Sequence, residues 1–116
     1  MAWNVDFYVT ESGRSPIMEF IDSLPDKVQG KCLKYIELLE ERGLLLPANY
    51  ISHIEDDLWE LRPEYGGIEY RFLFYAPNSP TPTEFIIVHA IIKKRPKLKR
   101  ADIEKALERI KELINR

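Results

Sequence analysis

Residues 54–75, IEDDLWELRPEYGGIEYRFLFY, decide how the chain is read. They hold two runs rich in aromatic and branched residues, Ile54 to Arg62 and Ile68 to Tyr75, separated by Pro63-Glu64-Tyr65-Gly66-Gly67. A Gly-containing break of that length between two such runs predicts a hairpin of antiparallel strands. Side chains alternate faces along a strand, so Trp59 and Leu61 share a face, as do Tyr70, Phe72 and Phe74 on the next strand. For both sets to enter one core, opposed residues must have numbers summing to an odd value such as 131 or 133; a one-residue slip would bury Arg62 and Arg71 instead.

That register collects Glu60, Arg62, Glu69 and Arg71 on the non-core face. In one odd register Glu60 opposes Arg71, and in the other the two arginines face each other with Cβ atoms about 5 Å apart. A guanidinium stays cationic at physiological pH and forks onto phosphate oxygens, so neighbouring arginines form a candidate anion site. The plainer alternative is a pair of cross-strand salt bridges on a wet sheet face, worth about 1 kcal/mol or less each.

Upstream, Val5, Phe7 and Val9 alternate with polar or amphipathic residues in a first strand over 3–9. Ser15 followed by Pro16 opens a short helix with Ile17, Phe20, Ile21 and Leu24 inward. Pro25-Asp26 opens a longer one, with Val28, Cys32, Tyr35/Ile36 and Leu39 at helical spacing, which Gly43 closes. Residues 44–52 read as a loop with an apolar anchor. Downstream, the Pro-rich APNSPTP leads to a further strand from Glu84 to Ile92. Ile103, Ala106/Leu107, Ile110 and Leu113/Ile114 then mark a terminal amphipathic helix beginning near Arg100. The expectation is one α+β domain over 1–116, in two layers ordered β-α-α-β-β-β-α. An antiparallel meander packs on the two N-terminal helices, and a C-terminal helix follows.

At 116 residues, 45% hydrophobic and 31% charged, such a domain buries roughly two-thirds of its unfolded surface. The single cysteine, Cys32, excludes an intramolecular disulfide and a Cys-based metal cage, and points to the reducing cytoplasm. No basic leader with an apolar run opens the sequence, and no stretch approaches the roughly 18 apolar residues of a membrane span, so no membrane association is expected. Residues 1–58 carry 5 Lys/Arg and 11 Asp/Glu, and residues 59–116 carry 12 and 8; the net charge of −2 therefore joins a −6 half to a +4 half. Six cations fall between Lys93 and Arg100 without an acid among them, a cluster that suits either phosphates or a solvated helix start.

His89 lies in an apolar strand whose parity leaves its side open, where it is either a packing residue or, facing the arginines, a proton carrier near neutral pH. His53 stands among Glu55, Asp56 and Asp57 without ligand spacing, so no metal or other cofactor is expected. Gly-rich phosphate loops, nucleophile elbows and zinc-finger spacings are missing from the sequence.

Leu58-Trp59-Glu60-Leu61-Arg62, then Tyr70-Arg71, then His89-Ala90 leading to Lys93-Lys94, then a helix with Asp102-Ile103 and Ala106, together resemble the RelE/ParE toxin superfamily, and within it the HigB-like, phage-derived branch. The order and spacing agree along the whole chain, although Arg95-Pro96-Lys97-Leu98-Lys99-Arg100 departs from the polar stretch and Thr-Pro that commonly lead into the family's last helix. The resemblance implies a RelE-like fold and a cytoplasmic toxin of a type II toxin–antitoxin pair. It would cleave messenger RNA on the ribosome without metal, by attack of the ribose 2′-hydroxyl. On this basis Arg62, Arg71, His89 and Lys94 are the expected catalytic residues, and Lys93, Arg95, Lys97 and Tyr75 are expected to bind substrate. The partner would be a HigA-like helix-turn-helix antitoxin. The alternatives are a ParE-like toxin that binds a topoisomerase and a catalytically inactive antitoxin-binding module.

Overall fold

The computed structural model describes residues 3–78 and 84–116. Along the chain run β1 (Asn4–Phe7), α1 (Pro16–Asp22), α2 (Asp26–Arg42), β2 (Ile51–Glu55), β3 (Leu58–Leu61), β4 (Glu64–Tyr65), β5 (Ile68–Tyr75), β6 (Glu84–Lys93) and α3 (Arg100–Ile114). Among the described residues, three α-helices and six strands make an α+β fold. Most of the Pro-rich link before β6 falls at 79–83, outside the described residues.

The expected hairpin is present, with Gly66 and Gly67 at φ of 61° and 81°. Positive φ at both central residues is what a type I′ turn requires, and here they join β4 to β5. The pairing of β3 with β5 runs from Leu58 opposite Tyr75 to Leu61 opposite Phe72, the odd register that places Trp59 and Leu61 with Phe72 and Phe74. The single strand expected over 54–62 is instead two, β2 and β3, paired antiparallel across a turn at Asp56-Asp57. Asp56 makes the reversal by adopting φ of 48°, a left-handed conformation that Asp tolerates better than most residues. The stretch read as a loop therefore gives its last two residues to β2.

Sheet order is β1-β6-β5-β3-β2, with β4 also on β5. The expected antiparallel meander is present from β2 through β3 and β5 to β6, but β1 adds parallel to β6, from Asn4 beside Glu84 to Phe7 beside Ile87, so the sheet as a whole is mixed. The first strand also stops at Phe7; Tyr8 is buried and Val9 is exposed, the reverse of their expected sides. A bulge breaks the alternation of β6, because Leu73 faces His89 whereas Phe74 faces Ile87, leaving Val88 as the extra residue. Ile87 thus shares a face with Phe74, and His89 shares the opposite face with Leu73.

Both faces are covered, which replaces the two-layer expectation. On the Phe72 side, Phe20 of α1 meets Phe72 edge-on at 5.7 Å, and α2 buries Val28, Cys32, Ile36 and Leu39. On the Leu73 side, Asp102 of α3 bonds to His89, and Ala106 and Ile110 are buried. The helix boundaries follow their signals. Ser15 Oγ accepts the Met18 N–H ahead of Pro16, and Gly43 ends α2 at φ 56°, ψ −140°, a conformation open essentially to glycine alone. Among the described residues, no helix is long and apolar enough to cross a membrane.

Candidate nucleic-acid interface

The cationic site forms where β3 runs out. At Arg62-Pro63, between β3 and β4, regular strand lapses and leaves a notch, although the Arg62 N–H still donates to Tyr50 O and the Tyr70 N–H to Pro63 O, both at 2.8 Å; Glu64 then opposes Glu69. Arg71 lies beside this notch with only 1% of its side chain exposed. Its Nη2 donates to Glu69 Oε1 at 2.5 Å and its Nη1 to Tyr70 O at 2.9 Å. Its Nε sits 3.2 Å from Glu60 Oε1, close as a charge pair but out of line for a hydrogen bond. Glu60 is held in turn by Ser52 Oγ, which donates to Oε2 at 2.6 Å. The wet sheet face anticipated for Arg71 is therefore a buried one. Two carboxylates and a carbonyl compensate the guanidinium, which is the condition for burying a charge.

Arg62 stays partly exposed, donating through Nη1 to Ala48 O at 3.2 Å. It lines a cleft of about 390 Å³ with Lys31, Tyr35, Glu64, Glu69 and Arg71, so the two arginines do come together. Lys93 opposes Glu69 on the neighbouring strand. The Glu69 carboxyl is held below the usual range first by the hydrogen bond from Arg71, then by the nearby charges of Arg71, Lys93 and Arg62, against the opposing effect of its desolvation. Glu69 is thus ion-paired to Arg71 and feels Lys93 and Arg62 at longer range. Lys94, Arg95 and Lys97, all exposed, continue from Lys93 around a second cleft of about 240 Å³.

His89 faces α3. Its Nε2 lies 2.9 Å from Asp102 Oδ1 and its Nδ1 3.5 Å from Arg109 Nη1. A guanidinium can only donate, so Nδ1 is the acceptor and Nε2–H donates to Asp102. Desolvation is the main cause of its lowered pKa; Asp102 opposes the shift, while Arg109 and Lys105 add to it. Arg109 also donates to the bulged Val88 carbonyl at 2.7 Å, and its guanidinium stacks 4.9 Å from the Tyr8 ring centroid. Tyr8 Oη donates to Glu112 at 2.8 Å. Together these contacts fasten α3 across β6 and the chain following β1.

Tyr75 is not brought to the arginines. It is paired with Leu58 and Ile86, four residues or about 13 Å along β5 from Arg71, beside Leu107 and Ile110 of α3. Lys31 and Tyr35 reach the cleft from α2. Helical periodicity marked Tyr35 only as an inward position, and nothing local in the sequence ties either residue to the notch.

Residues 19–111 match the model of a known family, described as Phage derived protein Gp49-like (DUF891). That span contains both clefts and the whole sheet except β1. No curated protein matches the chain.

Proposed function

Because the chain belongs to the Gp49-like family of phage-derived proteins, a family of the RelE toxin-like kind, we propose that it is the toxin of a type II toxin–antitoxin pair and cleaves messenger RNA on the ribosome. The observation that carries this reading is that Arg62 and Arg71 line one cleft around the Glu69 carboxylate, which accepts from Arg71 Nη2 and lies opposite Lys93 on the neighbouring strand.

In the proposed reaction the ribose 2′-oxygen bonds to the adjacent phosphorus as the bond to the 5′-oxygen breaks. The products are a 2′,3′-cyclic phosphate and a 5′-hydroxyl, and the proton leaving the 2′-oxygen balances the one taken up by the departing 5′-oxygen. Negative charge grows on the non-bridging oxygens, where fixed cations lower the barrier by several kcal/mol without reorganising. Arg62 meets the scissile phosphate, and Arg71 supplies a fixed second donor. Lys93, Lys94, Arg95 and Lys97 hold the flanking backbone. With both ring nitrogens engaged, His89 acts in this reading by fixing α3, and proton transfer through it requires the Asp102 contact to open. A helix-turn-helix antitoxin that covers the cationic end is the proposed partner, in the cytoplasm.

Expression without the antitoxin should arrest growth and leave cut transcripts, and Arg62→Ala should relieve the arrest. Undiminished toxicity of soluble Arg62→Ala would remove Arg62 from the site. The engagement of His89 with Asp102 and Arg109 favours a second reading, in which the same face binds without cleaving. A DNA-damage response with intact transcripts would select a topoisomerase-binding toxin, and a harmless folded protein would select an inactive antitoxin-binding module.

A further inference from the structure

We propose that Glu69 is a built-in competitor of the anionic ligand: its carboxylate occupies the place where a backbone phosphate would meet Arg71, Arg62 and Lys93, and the site opens to a polyanion able to displace it. The inference rests on the reading of this cleft as a phosphate site.

Arg71 cannot move out to meet a ligand. It is 1% exposed, with Nη1 on the Tyr70 carbonyl and Nε against Glu60. Its Nη2 points at Glu69, so this donor becomes available only when Glu69 leaves. The two carboxylates around Arg71 differ in freedom. The Glu60 side chain is 12% exposed and tied to Ser52, whereas that of Glu69 is 44% exposed and has solvent to swing into.

Glu69 is also opposed across the β4–β5 pair by another carboxylate, Glu64. Like charges opposite each other do not add to the hold on the closed position. A phosphate oxygen accepts from a guanidinium N–H as a carboxylate oxygen does, so it can take the place of Glu69 Oε1 on Arg71 Nη2 without disturbing the contacts of Nη1 and Nε. A lone monoanion gains little over the carboxylate it expels. A nucleic-acid strand gains further contacts at Lys94, Arg95 and Lys97, and these offset the broken ion pair. Glu69 therefore tunes the site against small anions and toward a strand.

The test uses a fluorescein-labelled RNA of about 12 nucleotides with 2′-O-methyl riboses, which cannot be cleaved by 2′-hydroxyl attack, and measures anisotropy at fixed salt. Glu69→Gln should bind about tenfold more tightly than the native protein, the scale of removing one charge at close range. Its affinity should also fall more steeply with salt, since no freed carboxylate has to recapture a cation. Glu69→Asp, which keeps the charge, should stay near the native affinity. Inorganic phosphate should compete better against Glu69→Gln than against the native protein. Equal or weaker RNA binding by Glu69→Gln with an unchanged melting curve would overturn the proposal, as would tightening by Glu69→Asp to the same degree. Transcript cleavage in cells reads the nuclease function separately. Cut transcripts with no Glu69→Gln effect on binding would leave the nuclease reading and remove this one; tighter binding without cleavage would do the reverse.

Discussion

Replacing Arg71 by methionine keeps most of its volume but leaves the Glu60 carboxylate, 12% exposed, without its cation. Breaking a buried ion pair from one side costs about 3–5 kcal/mol, most of it the penalty of the stranded charge. For a chain of 116 residues with an unfolding entropy of about 2.1 cal/mol/K per residue, that range corresponds to a fall in melting temperature of roughly 12–20 °C. Adding Glu60→Gln should restore more than half of the loss, because a neutral amide can still accept from Ser52 and no ion remains buried. Thermal and urea melts followed by circular dichroism, on the two single variants and the double, supply the cycle. The reasoning fails if Arg71→Met lies within about 1 kcal/mol of the native protein, or if the double variant is no more stable than the Arg71 single. The outcome also governs how function is tested. A harmless Arg71 variant reports on folding as much as on chemistry, whereas partly exposed Arg62, whose side chain donates to Ala48 O, gives the cleaner readout.

Two other perturbations probe the framework. Burial depresses the pKa of His89 in the folded state, so the unfolded chain binds the proton more readily. Its contribution to stability should be complete above about pH 6.5 and decline as pH falls through and below that value; His89→Gln should flatten this part of a stability–pH curve, and an unchanged slope would refute the assignment. At Gly43, an added Cβ would lie 2.7 Å from Trp3 Cε2 in a backbone conformation that alanine disfavours. Gly43→Ala should therefore cost about 1–3 kcal/mol in urea melts, and a neutral effect would show that the ring and the turn readjust freely.

Much of this architecture was legible in short-range pattern. Gly66-Gly67 announced a hairpin, and the aromatic alternation from Tyr70 to Phe74 left only odd registers. Ser15-Pro16 and Gly43 marked helix ends by well-understood backbone chemistry. The Asp56-Asp57 turn was hidden because it uses neither Gly nor Pro; an aspartate at positive φ leaves no distinctive mark in a sequence. The parallel docking of β1 on β6 joins segments some 80 residues apart, and alternation within each strand carries no information about that partnership. For the candidate site, parity grouped Arg62, Arg71, Glu60 and Glu69 correctly, and the run after Lys93 was plain. Parity names a side but not its surroundings, so the burial of Arg71 went unforeseen. The same limit placed Tyr75 with the arginines, although four residues of strand separate them.

The extra residue at Val88 acts as a phase shifter within β6. Upstream of it, odd-numbered residues serve the layer of α1 and α2; downstream, His89, Ile91 and Lys93 serve the opposite side, in step with Leu73, Arg71 and Glu69. Because Leu73 and Phe74 are adjacent on β5 while their partners His89 and Ile87 stand two apart on β6, deleting Val88 would close the ladder with both halves of the strand facing as they do now. What would be lost is the bulge itself and its carbonyl, which accepts from Arg109, so the deletion would loosen the seat of α3 while leaving Lys93 opposite Glu69.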